Sequence, residues 1–343
     1  MRAELVKTEK AVGMVLCHDI TCIEPGRFKG AAFKKGHRVS AEDIPLLLQL
    51  GKDHLYTLIL DSDEVHEDDA SRRLAAAIAG PGVKTKWPSE GRVNLFAAYQ
   101  GLLKVNVELL QQLNALPDIV IATLHSNVPV KTDTTLAGTK VIPLVVKEEV
   151  LQQVEEKCRL AGPVVQVLPY RKLRLGVLIT GREIYEGRIK DAFGPVMKQK
   201  AEQFGLEEPE ILYAPDDALF IARQLKQLVE NGNELIVLTG GMSVDPDDVT
   251  PKGIRLSGAE VVKYGAPVLP GAMFMIAYLQ QTPIIGLPAC GMYFRTTVFD
   301  LILPRLLAGE KITESDISSL GYGGLCRRCE VCLYPDCSFG KSI

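Results

Sequence analysis

The sequence predicts an α/β protein: a three-layer, mostly parallel sheet domain over residues 173–310, preceded by a smaller α+β region. Three observations predict it. From Leu173 onward, short apolar runs recur: Leu173 to Thr180, Ile211 to Tyr213, Glu234 to Thr239 and Pro283 to Leu287. Between and after them lie stretches with helical spacing, Lys190 to Phe204, Asp216 to Glu230 and Tyr293 to Leu307. Continuous apolar strands between amphipathic helices are the pattern of a parallel sheet covered on both faces. The third observation is that glycines and hydroxyl residues follow directly on the strand ends, where the ligands of such sheets sit.

Residues 1–65 form a β-rich N-terminal region in this reading. The runs Ala11 to Leu16 and His54 to Leu60 are β-like, and one helix is predicted over Ala41 to Leu50. Ser40 would cap that helix, with an acid at the third position, and Gly51 would end it. Residues 66–168 form an α/β region. A helix starts at His66 with three acids in its first turn, which suits the positive end of the helix dipole, and Gly80-Pro81 stops it. A second helix is predicted from Leu95 to Leu113, strands over Asp118 to Thr123 and Lys140 to Val146, and a helix over Lys147 to Leu160. The tail, residues 313–343, is Gly- and Cys-rich and too short for a core of its own.

Charge excludes some partners. With 39 basic and 42 acidic residues the chain has no surplus of positive charge to offset a nucleic acid backbone. The first ten residues carry charges where a signal peptide needs an apolar core. Apolar runs such as Val261 to Leu279 are broken by Lys, Gly and Pro, so no membrane span is expected and the expected location is cytoplasmic.

The chemistry concentrates at three strand ends. They are Thr180-Gly181-Arg182-Glu183, then Thr239 to Ser243 with Asp245, Asp247, Asp248 and Thr250 behind it, and Pro288 to Gly291. Parallel strands would bring all three to one edge. Gly240 and Gly241 let backbone N–H groups approach an anion, with Thr239 and Ser243 adding hydroxyls. A helix starting near Thr250-Pro251 would aim its positive end at the same place. A tight strand-to-helix turn has the same signature. The three aspartates suit a hard cation such as Mg²⁺ bridging to a phosphate, and the same acids also suit helix capping. Glu183 is a candidate for a ligand or metal contact, or a surface acid, and Cys290 reads as a buried, inert thiol.

In combination these motifs resemble the molybdopterin-binding domain of molybdenum-cofactor biosynthesis proteins of the MoeA/MogA type, a domain also found in CinA-like proteins. The resemblance spans roughly Leu173 to Gly309 and includes Pro270-Gly271. The segment Phe33 to Leu60 is similar to part of MoeA. The resemblance implies molybdopterin as ligand, adenylated with Mg-ATP by MogA-type members and loaded with molybdate by MoeA-type members, and a homo-oligomer. By position, it implies that Thr239, Gly240, Gly241 and Ser243 cradle the phosphate, that Thr180 and Gly181 also bind the cofactor, and that Asp248 and Glu183 are the functional acids. Pro270, Gly271 and Pro288 would shape the pocket. The chain departs from the pattern at Arg182, where an Asp is usual, at Ala289-Cys290-Gly291, where Gly-Asn-Pro is common, and at Asp191-Ala192-Phe193, where an Asn is expected. Losing an acid and gaining an arginine favours a second anion over a metal. Binding therefore survives the comparison better than catalysis.

The tail adds Cys326, Cys329, Cys332 and Cys337. Four thiolates at this density suit Zn²⁺ or an iron–sulfur cluster, and the Cys-x-x-Cys-x-x-Cys spacing leans towards the cluster. The expectation is a molybdopterin-binding protein of cofactor maturation or delivery, with a molybdoenzyme or another biosynthesis protein as partner. A carrier or sensor module and a CinA-like nucleotide hydrolase are the alternatives.

Overall fold

A computed structural model of the chain describes residues 2–24, 28–86, 91–243 and 249–341. The chain divides into two compact units. The first comprises residues 1–96, 105–124 and 135–166, the second residues 97–104, 125–134 and 167–343. The stretches 173–310 and 313–343 therefore share one unit, which also takes two short pieces from 66–168.

In the first unit, Arg2–Lys7 and Val15–Leu16 pair antiparallel with His54–Ile59. Helix Ile44–Gln49 is shorter than the predicted Ala41 to Leu50 and is not capped by Ser40. Pro45 belongs in a first helical turn, so it fixes the start, and Asp43 takes the Ser40 N–H instead. His66 does begin a helix, Glu67–Ile78, as its N-cap, with Nδ1 accepting from the Asp68 N–H.

The predicted helix over Leu95 to Leu113 is a correction. The segment holds a strand, Arg92–Ala97, a second strand, Gly101–Val105, and only then a helix, Val107–Asn114. Its period is two, not 3.6: Val93, Leu95 and Ala97 are buried while Arg92 is exposed. Asn106 starts the real helix, its side chain accepting from the Leu109 N–H at 3.1 Å.

The second unit is built on six strands: β1 Leu175–Thr180, β2 Glu210–Ala214, β3 Leu235–Thr239, β4 Glu260–Tyr264, β5 Met275–Leu279 and β6 Thr282–Leu287. Their order is β2-β1-β3-β6-β5-β4. β2, β1, β3 and β6 are parallel, and β5 runs antiparallel to both β6 and β4. The antiparallel pair β4–β5 starts at Glu260 and takes up both ends of the broken apolar run Val261 to Leu279.

Helices cover both faces. They are α1 Arg182–Tyr185, α2 Phe193–Gln203, α3 Ala218–Glu230, α4 Thr250–Leu256, α5 Cys290–Tyr293, α6 Val298–Leu307 and α7 Glu314–Ser319. One face of the sheet (Val177, Ile179, Val237, Ile285) packs with α2, α6 and α7, and the other (Leu178, Ile236, Leu238, Ile284) with α3 and α4. Alternate residues of one strand thus enter opposite cores, which is why β1 and β3 are apolar throughout. The predicted helix Tyr293 to Leu307 starts only at Val298, where Thr297 and Asp300 form a capping box, and Tyr293 instead ends the short α5.

Charged side chains tie α6 to the start of the tail. Arg305, buried in α6, donates to Glu310 and to Asp316, each at 2.6 Å, and Lys104 reaches Glu310 at 2.6 Å. Burial alone would raise both carboxyls. Hydrogen bonds from Lys104 and Arg305 to Glu310, and from Thr313 and Arg305 to Asp316, outweigh it and hold both below the usual carboxylate range. A depressed folded-state pKa stabilises the fold above the unfolded value of about 4 and is lost as pH falls through the folded value. The urea midpoint is therefore expected to fall below about pH 4, and the Glu310→Gln, Asp316→Asn double variant to show a flatter acid limb.

Candidate functional site

The strand order places the motif-bearing ends together. Ile179 of β1 stands beside Thr239 of β3, and Thr239 beside Leu287 of β6, so residues 180–183, 240–243 and 288–291 leave the sheet side by side. β4 ends at Tyr264 on the same edge, and Tyr264 pairs with Met275, itself paired with Gly286. The connection 265–274, which carries Pro270 and Gly271, therefore joins the same edge.

The Gly240–Gly241 turn is built tightly. Gly240 has φ +90° and Gly241 φ +52°, both in the left-handed region. A methyl group at Gly240 would run into the Thr180 carbonyl oxygen and stand 2.8 Å from its Oγ1. At Gly241 it would stand 2.7 Å from Thr250 Oγ1. Both glycines are partly exposed while Thr239 and Met242 on either side are buried, so the turn presents bare backbone to the edge.

Three residues outside that turn, Thr180, Thr250 and Tyr264, hold it in place. Thr180 Oγ1 donates to the Thr239 carbonyl at 3.1 Å and shares a 2.9 Å hydrogen bond with Thr250 Oγ1. The Thr250 N–H donates to the Gly241 carbonyl at 3.2 Å. Tyr264 OH donates to the Met242 carbonyl at 2.9 Å, and the Met242 side chain packs against Gly286 of β6. Thr180 is thus a tie between two loops, with its hydroxyl spent inside the protein. The Thr239 hydroxyl is buried and has no hydrogen-bond partner among the described residues.

The remaining candidates spread around this turn. Ser243 is exposed beyond it. Gly181 is buried, and a methyl group on it would meet the Glu183 carboxylate at 2.9 Å, so that acid lies over the first loop. The Arg182 N–H donates to Asp216 at 2.9 Å while the Arg182 side chain is exposed. Pro288 is buried at the start of the third loop; Cys290 is half-buried rather than buried, and that burial pushes its thiol above its ordinary pKa. Pro270 and Gly271 are buried, and Gly271 packs against Val298 at the start of α6. Asp245, Asp247 and Asp248 lie outside the described residues. Among the described residues, no three His, Cys, Asp or Glu side chains are placed to hold one metal ion. That finding withholds support from Mg²⁺ and from a preformed metal centre in the tail.

Sequence reasoning missed Tyr264 and Asp216, and gave Met242 no role of its own within the loop. None has a signal in its own surroundings except Met242, an apolar residue inside a polar glycine loop.

These strand-end loops belong to an α/β domain whose sheet is covered by helices on both faces. Residues 176–308 match the family described as a probable molybdopterin binding domain. Residues 5–59 match a domain of unknown function (DUF8806). The chain is similar to a CinA-like protein of Mycobacterium avium (strain 104), 36% identical over 90 residues, which are 26% of this chain and 21% of that protein. It thus spans about a fifth of the length of such curated relatives. Among solved structures it is similar to the molybdopterin biosynthesis enzyme MoaB from Thermus thermophilus, at 19% identity and TM-score 0.33 over 40% of this chain and 98% of that one. It is also similar to the molybdopterin biosynthesis MoeA protein from Pyrococcus horikoshii, at 15% identity and TM-score 0.33 over 90% of this chain and 75% of that one. No helix among the described residues is long and apolar enough to cross a membrane.

Proposed function

We propose that this chain binds molybdopterin, or its adenylate, at the strand edge of the second unit and works in the maturation or delivery of the molybdenum cofactor. The observation that supports this reading is the Gly240–Gly241 turn, which has no room for side chains against Thr180 and Thr250 and is tied by hydrogen bonds from Thr180, Thr250 and Tyr264. A phosphate there would meet the bare backbone of the glycine turn. The unpaired Thr239 hydroxyl supplies a further donor at the base of the turn.

The reading favours holding over chemistry. Glu183 is one carboxylate beside the cradle, and Asp248 would be its partner for Mg²⁺ in an adenylating or metal-inserting version of the site. Asp216 is already engaged by the Arg182 N–H, and the exposed Arg182 side chain suits a second anionic group of the ligand. The partners in this reading are a molybdoenzyme or another cofactor-biosynthesis protein, and a second copy of this chain, all in the cytoplasm. The 36% identity to a CinA-like protein favours one other reading, a nucleotide hydrolase.

Anaerobic titration with molybdopterin, followed by filtration and fluorescence of the oxidised pterin, tests the proposal. Wild-type protein is expected to retain the pterin. The Gly241→Val variant, whose side chain intrudes on Thr250, is expected to bind about tenfold or more weakly (about 1.4 kcal/mol). Equal retention by both proteins contradicts the assignment. Release of product from Mg-ATP and molybdopterin, or from a nucleotide alone, would replace the carrier reading with an enzymatic one.

A further inference from the structure

The tail is not a loose appendage. Phe339 is buried in the core beside α6, with Tyr334 and Cys337 packed against the same core. The Leu269 N–H donates to the Gly324 carbonyl, and the Cys326 N–H donates to the Leu269 carbonyl, both at 2.8 Å. The tail is therefore stitched to the connection that carries Pro270 and Gly271, on the edge where the candidate ligand site lies.

Between these anchors it lines a half-open cavity of about 320 Å³, and all four tail cysteines face it. Its other wall is Tyr293 to Thr296, the segment that follows the third strand-end loop. None of the four is in a disulfide. The Arg328 N–H points at Cys326 Sγ (3.5 Å), and Thr296 Oγ1 lies 3.2 Å from Cys332 Sγ. Hydrogen bonds of this kind stabilise thiolate sulfur in metal sites. Arg295, Arg327 and Arg328 also line the cavity and add positive charge that offsets several thiolates. Among the described residues, positions 327–332 make no backbone–backbone hydrogen bond, so the loop that carries Cys329 and Cys332 has no regular scaffold of its own. A bound inorganic centre would supply that scaffold.

We propose that Cys326, Cys329, Cys332 and Cys337 ligate an iron–sulfur cluster in this cavity. The four thiols share one cavity. The spacing of Cys326, Cys329 and Cys332, which matches three adjacent corners of a cubane, favours a cluster over a single Zn²⁺.

The test is anaerobic purification of the full chain, or its reconstitution with ferrous iron and sulfide, followed by metal and acid-labile sulfide analysis and visible absorption. The expected result is about four iron and four sulfide per chain and a broad visible band bleached by dithionite. Cys329→Ser, at an exposed position, and Cys332→Ser are expected to lose most of the iron and the band while keeping the far-ultraviolet circular dichroism of the fold. Cys22→Ser, in the first unit, is expected to keep both. Stoichiometric zinc without sulfide, absence of any metal after reconstitution, or full iron content in the Cys329→Ser, Cys332→Ser double variant would each overturn the proposal.

Discussion

Gly240→Ala is expected to abolish retention of molybdopterin and to destabilise the second unit by about 2–4 kcal/mol. Two costs combine at this position. Alanine at φ +90° is strained wherever it occurs, and here its methyl would also run into the Thr180 carbonyl. That carbonyl belongs to the end of β1, so relief requires the first and second loops to move apart. Parting them breaks the hydrogen bonds that Thr180 Oγ1 makes to Thr239 and Thr250. The turn then loses the geometry that aims its backbone at a phosphate, and ligand affinity is expected to fall about 100-fold (about 2.7 kcal/mol). Urea denaturation and pterin retention measure the two effects separately. A variant as stable and as competent as wild type would show that the two loops are not clamped together at Gly240.

The second large effect is expected at Asp300. Its carboxylate pairs with Lys200 of α2, and both side chains are largely buried. It also accepts from the Thr297 N–H at 2.8 Å, closing the capping box of α6. Asp300→Ala strands the Lys200 ammonium in a buried position and removes the cap, so a loss of about 3–5 kcal/mol is expected. Asp300→Asn keeps an acceptor for the cap while removing the charge, and should fall between alanine and wild type. Urea midpoints in the order wild type, Asn, Ala support this account, and an alanine variant within about 0.5 kcal/mol of wild type contradicts it. The consequence reaches the ligand edge, because Tyr334 of the tail donates to the Asp300 carbonyl and Thr296 lines the cysteine cavity just before α6.

The parts of this fold that could be read in the sequence share a physical cause. β1, β3 and β6 are buried on both faces, so their apolar runs stand out, and their ends carry glycines and prolines that only turns tolerate. The order of parallel strands then sets the loops side by side. What the sequence hid depends on distant contacts. Tyr264 pins Met242 from another strand, and nothing near Tyr264 announces it. Leu95 to Leu113 fits a helical pattern because its leucines are frequent enough to satisfy several periods, and strand pairing decided the outcome. The β4–β5 pair was hidden because it carries Lys263 and ends in a connection rich in glycine and proline.

The most direct test of the central claim is the pterin that accompanies the protein. The full chain, expressed in a host that makes molybdopterin and purified without oxygen, is expected to carry the pterin phosphate in near-stoichiometric amount, detected by fluorescence after oxidation. The Gly240→Ala variant purified alongside is expected to carry almost none. Wild-type protein free of pterin, and still free of it after anaerobic incubation with molybdopterin, would contradict the account.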